Sequence, residues 1–240
     1  MATYNGANFI EAQIDSILNQ IALDDELIIV DDHSSDGTPE ILTTYASKNK
    51  NINIIFNVVN RGALKSFGNA LEMSSGDVIF LADQDDVWVK DKVRLMLAEI
   101  RKTSRALVVS DATVIDRDGA TMEQSFFALR KSGSGFIKNF YKNTYLGCCM
   151  LFDASLKEVI LPLPDDVAQH DEWIGLVCEL IGGSVFLGDS LLLYRRHDKN
   201  VSSFQRFPLQ RVIVNRLKMF LALLSRSYKI YRRHRAWRGL

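Results

Sequence analysis

Apolar residues along the first ninety positions alternate between two periods. Phe9, Ile10, Ile14, Ile17, Leu18 and Ile21 fall on one helical face, with Asn8 placed to cap it. A short strand, Glu26 to Val30, with apolar residues from Leu27 on, then reads as buried and ends in the polar stretch Asp31 to Thr38. Thr38 as cap and Pro39 in the first turn predict a helix to about Ala46. Ile52 to Val58 reads as a strand, Leu64 to Met73 as a helix and Asp77 to Leu81 as a third strand. Strands alternating with helices predict an α/β fold with a Rossmann-like, mostly parallel central sheet and flanking helices. Ligands of such sheets collect at the carboxyl ends of the strands, where Asp31-Asp32 and Asp83 to Asp86 both fall, so the two acidic loops are expected to line one cleft.

Two later segments continue the pattern. Trp173, Ile174, Val177, Cys178 and Ile181 form the apolar face of a helix that starts near Asp171, and Ser190 to Tyr194 is an apolar strand leading to His197. Beyond residue 204, Val212, Ile213, Leu217, Phe220, Leu221 and Leu224 recur at helical spacing among Arg211, Arg216, Lys218 and Arg226. Residues 1–204 are therefore expected to form one domain and residues 205–240 a tail of basic amphipathic helices.

Composition sharpens that division. The 240 residues are 47% hydrophobic and 24% charged, which suits one globular domain with an appendage and excludes a disordered or fibrous chain. The formal net charge is zero, yet no acid follows Asp198 while eleven Lys or Arg do, against 29 acids and 18 basic residues before it. The tail suits the interface of anionic lipid best. Packing on its own acidic body is the second reading and nucleic-acid binding the third; no nucleic-acid partner is expected. Cys148, Cys149 and Cys178 are odd in number and lack metal-site spacing, so reduced thiols in a cytosolic setting are expected. No cleavable leader and no run of about 18 apolar residues is found, so the expected location is the cytoplasm, peripheral on the inner face of the plasma membrane.

The densest chemistry is Asp83-Gln84-Asp85-Asp86, directly after an apolar strand. Carboxylates this close repel, and either water screens them as a solvated turn or a divalent cation neutralises them. Mg²⁺ or Mn²⁺ held by one or two carboxylates completes its shell with water and phosphate oxygens, which points to a diphosphate-bearing substrate.

The pieces Ala2 to Gly6, Val30 to Thr38, Asn60-Arg61-Gly62 and Leu81 to Trp88 resemble the nucleotide-binding half of family 2 glycosyltransferases with the GT-A fold. Asn143 to Phe152, His170 to Trp173 and Tyr194 to His197 resemble the glycine loop, base-bearing helix start and late histidine of that fold, closest to bacterial rhamnosyltransferase-like members. The resemblance implies nucleotide contacts at Thr3, Tyr4, Asp32, Lys65 and Asp85, with Lys65 either reaching a phosphate or standing solvated. It implies metal contacts at Asp86 and Asp83, and at His197, which either ligates the metal or donates to the diphosphate. Arg195 and Arg196 fall beside the diphosphate, and Trp88, Gly147, Glu172 and Trp173 beside the donor or acceptor sugar, with core packing as the other reading of both tryptophans. Asp171 is the implied base of an inverting transfer from a UDP- or dTDP-sugar to a hydroxyl of a bacterial surface glycan or its lipid-linked precursor. Two departures stand out: the strand that precedes Thr3 in the family is expected to be nearly absent, and Glu172 stands where many relatives carry an aromatic residue.

Other classes fit less well. Asp36-Gly37-Thr38 matches the end of a phosphatase nucleophile motif, but Ser34 stands where its aspartate belongs. A nucleotidyltransferase wants a basic, glycine-rich loop near its first strand, and Ala2 to Asn8 has no basic residue. The remaining rival is a non-catalytic nucleotide-sugar or carbohydrate-binding pseudoenzyme of the same fold.

Overall fold

The computed structural model describes residues 1–198 and 208–239. The first half runs β1 (Ala2–Thr3), α1 (Ile10–Leu18), β2 (Leu27–Asp31), α2 (Thr38–Lys48), β3 (Ile52–Phe56), α3 (Ala63–Met73), β4 (Val78–Phe80), β5 (Val87–Trp88) and α4 (Lys92–Thr103). The second half runs β6 (Leu107–Ile115), β7 (Thr121–Glu123), α5 (Phe126–Arg130), α6 (Phe136–Tyr141), β8 (Met150–Asp153), α7 (Lys157–Ile160), α8 (His170–Ile181), β9 (Ser184–Arg195) and α9 (Leu209–Trp237). The predicted boundary at residue 204 and tail residues 205–207 lie outside the described residues.

The parallel arrangement read from the sequence holds in a first sheet, ordered β1-β2-β3, with Ala2 opposite Val30 and Leu27 opposite Ile52. Every residue of β2 is buried, so its Leu-Ile-Ile-Val run packs on both faces, as strands covered by helices do. The second sheet, β4-β8-β6-β9-β5, is mixed: β8 runs antiparallel to β4 and β6, while β6 and β9 are parallel. A parallel bridge between Ala2 and Asp83 joins the sheets, so the carboxyl ends of β1, β2 and β4 lie at one edge. β1 has two residues, and a cavity of about 680 Å³ lies between β2 and β4 behind it, lined by Leu27, Ile28, Gly76, Val78, Trp88 and Ile100. It runs along β4 as far as Leu81 and Ala82, which adjoin the acidic loop.

Two helix starts differ from expectation. Asn8 makes no cap, because α1 opens at Ile10 after a turn in which Phe9 N and Ile10 N both donate to Gly6 O. The side-chain acceptor at the start of α2 is Asp36, not Thr38: its Oδ1 takes Thr38 N at 3.0 Å and its Oδ2 takes Ala7 N at 3.2 Å, stapling the β1 loop to the helix. The basic tail is one continuous helix, α9, rather than several. It packs on α7 and α8 through Met219, Leu223 and Ile230, which are buried in the main core. The apolar row Ile213, Leu217, Phe220, Leu221 and Leu224 is the exposed face, each residue more than half accessible.

Candidate active site

Asp32 directly follows β2 and sits in a cage of donors. Its Oδ1 accepts Asn57 Nδ2 at 2.8 Å and Arg61 N at 2.9 Å, and its Oδ2 accepts Gly62 N at 2.7 Å. Gly62 holds φ at +85°, the left-handed region, which lets two consecutive N–H groups converge on one carboxylate. Burial alone would raise the Asp32 carboxyl, but these hydrogen bonds hold it below the usual range. Beside it, Thr3 Oγ1 donates to Gln84 Oε1 at 2.5 Å and Tyr4 N donates to the same oxygen at 2.8 Å. Tyr4, next to Thr3, stays 47% exposed.

The acidic loop after β4 turns inward. Asp86 is 0% exposed; its Oδ1 accepts Arg195 N at 2.9 Å, and its Oδ2 is a buried oxygen with no hydrogen-bond partner among the described residues. The donor atoms of Asp83, Asp86 and Cys148 all lie within 4.8 Å of one another. Burial and then Asp85 push Asp83 up to about 7. Burial, then Asp85 and Asp83, push Asp86 well above the ordinary carboxylate range. An orphaned, buried carboxylate oxygen facing a second carboxylate is the donor set of a cation site, since a divalent ion would relieve both desolvation and repulsion. The residues therefore fit a metal.

His197 stands next to this group rather than in it. Its Nε2 pairs with Asp85 Oδ2 at 2.9 Å, and its ring stacks on Phe9 at 4.9 Å. Arg195 also lies over Phe9; its Nε donates to Asp85 O at 2.9 Å and its Nη1 to Arg117 O at 2.9 Å, which ties β9 to the acidic loop. Lys92 is fully buried, with Nζ donating to Cys148 O at 2.8 Å and lying 5.0 Å from the Trp88 ring.

Asp171 comes to the site on the first turn of α8. Its Oδ1 accepts Glu172 N at 2.6 Å and Asn143 Nδ2 at 3.4 Å. Burial and then Glu172 push its carboxyl up to about 7, with Asp83 adding to the shift, so the two aspartates share one electrostatic environment. Gly147 is where the loop before β8 passes this helix: a Cβ there would stand 3.0 Å from His170 Nε2 and 3.3 Å from Asp171 Cβ. His170 stacks on Phe67 at 3.8 Å, and burial pushes it down to about 3, so it is neutral near pH 7.

Several expected contacts are not brought together. Trp173 is 0% exposed and donates Nε1 to Ile160 O at 2.9 Å, and Trp88 is buried in the same core, so neither can lie against a sugar. Glu172 is committed to Arg216 of α9, which removes it from the acceptor side. Lys65 is paired with Asp165, and Arg196 Nη1 donates to Tyr194 Oη at 3.1 Å. Conversely, Lys92 carries no sequence signal, while Cys148, Gln84 and Asn143 stand inside the matched segments where local pattern alone gives them no role.

The fold is that of GT-A transferases. The structure aligns with S. aureus TarS residues 1–349 in complex with UDP-GlcNAc at a TM-score of 0.72 and 20% identity, over 93% of this chain and 65% of that one. Residues 1–161 match the model of glycosyl transferase family 2, and the chain belongs to that family; it is a glycosyltransferase. It is 28% identical over 204 residues to TuaG of Bacillus subtilis, a glycosyltransferase attributed to teichuronic acid biosynthesis, covering 84% of this chain and 79% of that protein. It is 38% identical over 99 residues to the dTDP-rhamnosyl transferase RfbG of Shigella flexneri, covering 39% of this chain and 34% of that protein.

Proposed function

We propose that the protein is an inverting, metal-dependent transferase that moves a sugar from a UDP- or dTDP-linked donor to a hydroxyl of a bacterial surface glycan or its lipid-linked precursor. Rhamnose is among the donor sugars to test, since RfbG is a relative. The observation that carries the reading is Asp171, a carboxyl raised to about 7 in the same field as Asp83 at the start of the acidic loop. A carboxylate raised in this way binds a proton more strongly than an ordinary one while still being available deprotonated near neutral pH, which suits removal of a proton from an alcohol. In the proposed step the acceptor oxygen loses its proton to Asp171 and bonds to the anomeric carbon, while the bond from that carbon to the diphosphate oxygen breaks on the opposite face. Mg²⁺ or Mn²⁺ held by Asp86 and Asp83, with His197 alongside on Asp85, would supply charge stabilisation for the departing diphosphate. The exposed Tyr4 ring and the caged Asp32 support a pyrimidine site: the ring offers a stacking face and the carboxylate orders the loop around it.

Attachment to the inner face of the membrane is the second part of the proposal. Among the described residues no helix is long and apolar enough to cross a membrane. The exposed stripe Ile213, Leu217, Phe220, Leu221 and Leu224 continues through Tyr228 and Tyr231, with Arg232 and Arg235 exposed beside its end, which supports lying flat on anionic lipid.

The test is turnover of UDP- and dTDP-sugars with Mn²⁺. Release of sugar that is abolished in Asp171→Asn and Asp86→Ala, both folded by near-UV circular dichroism, supports the enzyme. Donor binding without turnover in the unmodified protein would instead favour the nucleotide-sugar-binding reading.

A further inference from the structure

The main chain at Tyr4, just beyond the end of β1, is paired by a side chain 80 positions away. Gln84 Oε1 accepts Tyr4 N at 2.8 Å and Gln84 Nε2 donates to Tyr4 O at 3.2 Å, so one carboxamide satisfies both polar groups of one residue. The same Oε1 accepts Thr3 Oγ1 at 2.5 Å. These contacts extend by one rung the parallel bridge between Ala2 and Asp83. The surroundings hold Gln84 there. Gln13 Nε2, from the buried face of α1, donates to Asp83 O at 2.7 Å, and a Cβ at Gly6 would stand 2.5 Å from Gln84 Oε1, so glycine leaves the room the carboxamide needs. Asn5 then takes φ +51° and donates its N to Ser34 Oγ at 2.8 Å, which turns the chain away directly after Tyr4. Tyr4 is exposed, so core packing does not fix its ring; the main chain that carries it is what the structure pins.

We propose that Gln84 is the positioning residue of the nucleobase subsite: its carboxamide sets where Tyr4 presents its ring, and so ties recognition of the pyrimidine to the acidic loop. This rests on the reading of Tyr4 as the residue that stacks on the base. A carboxamide offers an acceptor and a donor side by side; Glu at this position lacks the donor for Tyr4 O, and Met, of similar length, lacks both. Loss of the pair frees the main chain under the ring, and ordering it becomes a cost of binding.

A double-mutant cycle tests this on the affinity for UDP or dTDP, whichever binds the unmodified protein more tightly, measured by calorimetry with Mn²⁺ present. Gln84→Met should weaken the nucleotide about tenfold, as loss of two hydrogen bonds predicts, and Tyr4→Ala by a similar factor. In the Tyr4→Ala background Gln84→Met should cost less than about twofold more, because the group it positions is gone. Inorganic pyrophosphate with Mn²⁺, which has no base to stack, should bind all of these proteins within about twofold. Gln84→Ala, checked by near-UV circular dichroism, carries the cycle if the methionine variant does not fold. Losses that add in the double variant, or pyrophosphate binding weakened as much as nucleotide binding, overturn the proposal and leave the base subsite standing. Nucleotide affinity unchanged by Tyr4→Ala removes the stacking reading and the proposal with it.

Discussion

Asp171 is placed so that burial and Glu172 both disfavour its charged form, which is why its carboxyl sits at about 7. A base must first lose its own proton, so the turnover rate should climb as pH rises through about 7, and Asp171→Asn should lose both that limb and about 10² to 10⁴ in rate. A flat profile over the same range in the unmodified protein would assign the base elsewhere. At Asp32 the expectation concerns stability: Asp32→Asn turns an amide N–H toward one of the three donors now satisfied, and denaturant unfolding should show a loss of about 1–3 kcal/mol. Both aspartates were legible because each stands at an element boundary that local pattern reveals. Trp173 faces the core for a geometric reason. Two residues along a helix rotate a side chain by about 200°, so a residue next but one to a cleft-facing Asp171 faces the core.

The helix α9 carries two apolar faces, and the sequence showed that it was amphipathic without showing which face docks. Periodicity records that apolar residues share a side; whether protein or lipid meets that side depends on the partner surface. Leu223→Ala, on the buried face, should cost about 2–4 kcal/mol, whereas Leu221→Ala should change stability by under about 0.5 kcal/mol. In vesicle sedimentation the order should reverse: replacing Phe220 and Leu221 with Ser should release the protein from anionic lipid while Leu223→Ala leaves binding intact. Arg216 gives α9 a second task, since it neutralises the buried Glu172 beside Asp171. Arg216→Ala should destabilise by about 3 kcal/mol at pH 8 and by less at pH 5, where Glu172 can take a proton. Removal of the whole tail is therefore not a neutral way to test membrane binding, because it would also disturb the environment of the proposed base.

Across the molecule, the site gathers buried carboxylates, and the N-terminal ammonium and Lys92 offset only part of what burial and Asp85 do to Asp83. An aspartate whose folded value lies above its unfolded one gives the folded state the extra proton. Its contribution is therefore fully present below the ordinary 3.8 and lost as pH rises to about 7, the case for Asp83 and Asp171. His170 works the other way: lowered from 6.5 to about 3, it withdraws stability as pH falls through that range. The difference between the unmodified protein and Asp83→Asn isolates the carboxylates. The variant should gain melting temperature relative to the parent as pH rises from about 4 to about 7, and saturating Mn²⁺ should close that gap by stabilising the parent alone. The order of elements over the first eighty residues, the parallel first sheet and the convergence of both acidic loops at one edge were determined by sequence alone. Local periodicity sets each element, and strands that all run one way must end on the same side. Only the tertiary structure decided that Cys148 meets Asp83 and Asp86, that Arg216 covers Glu172 and that the longer apolar row of α9 faces outward. Each of these joins surfaces from distant parts of the chain, where shape and charge complementarity choose the partner and short-range pattern is silent.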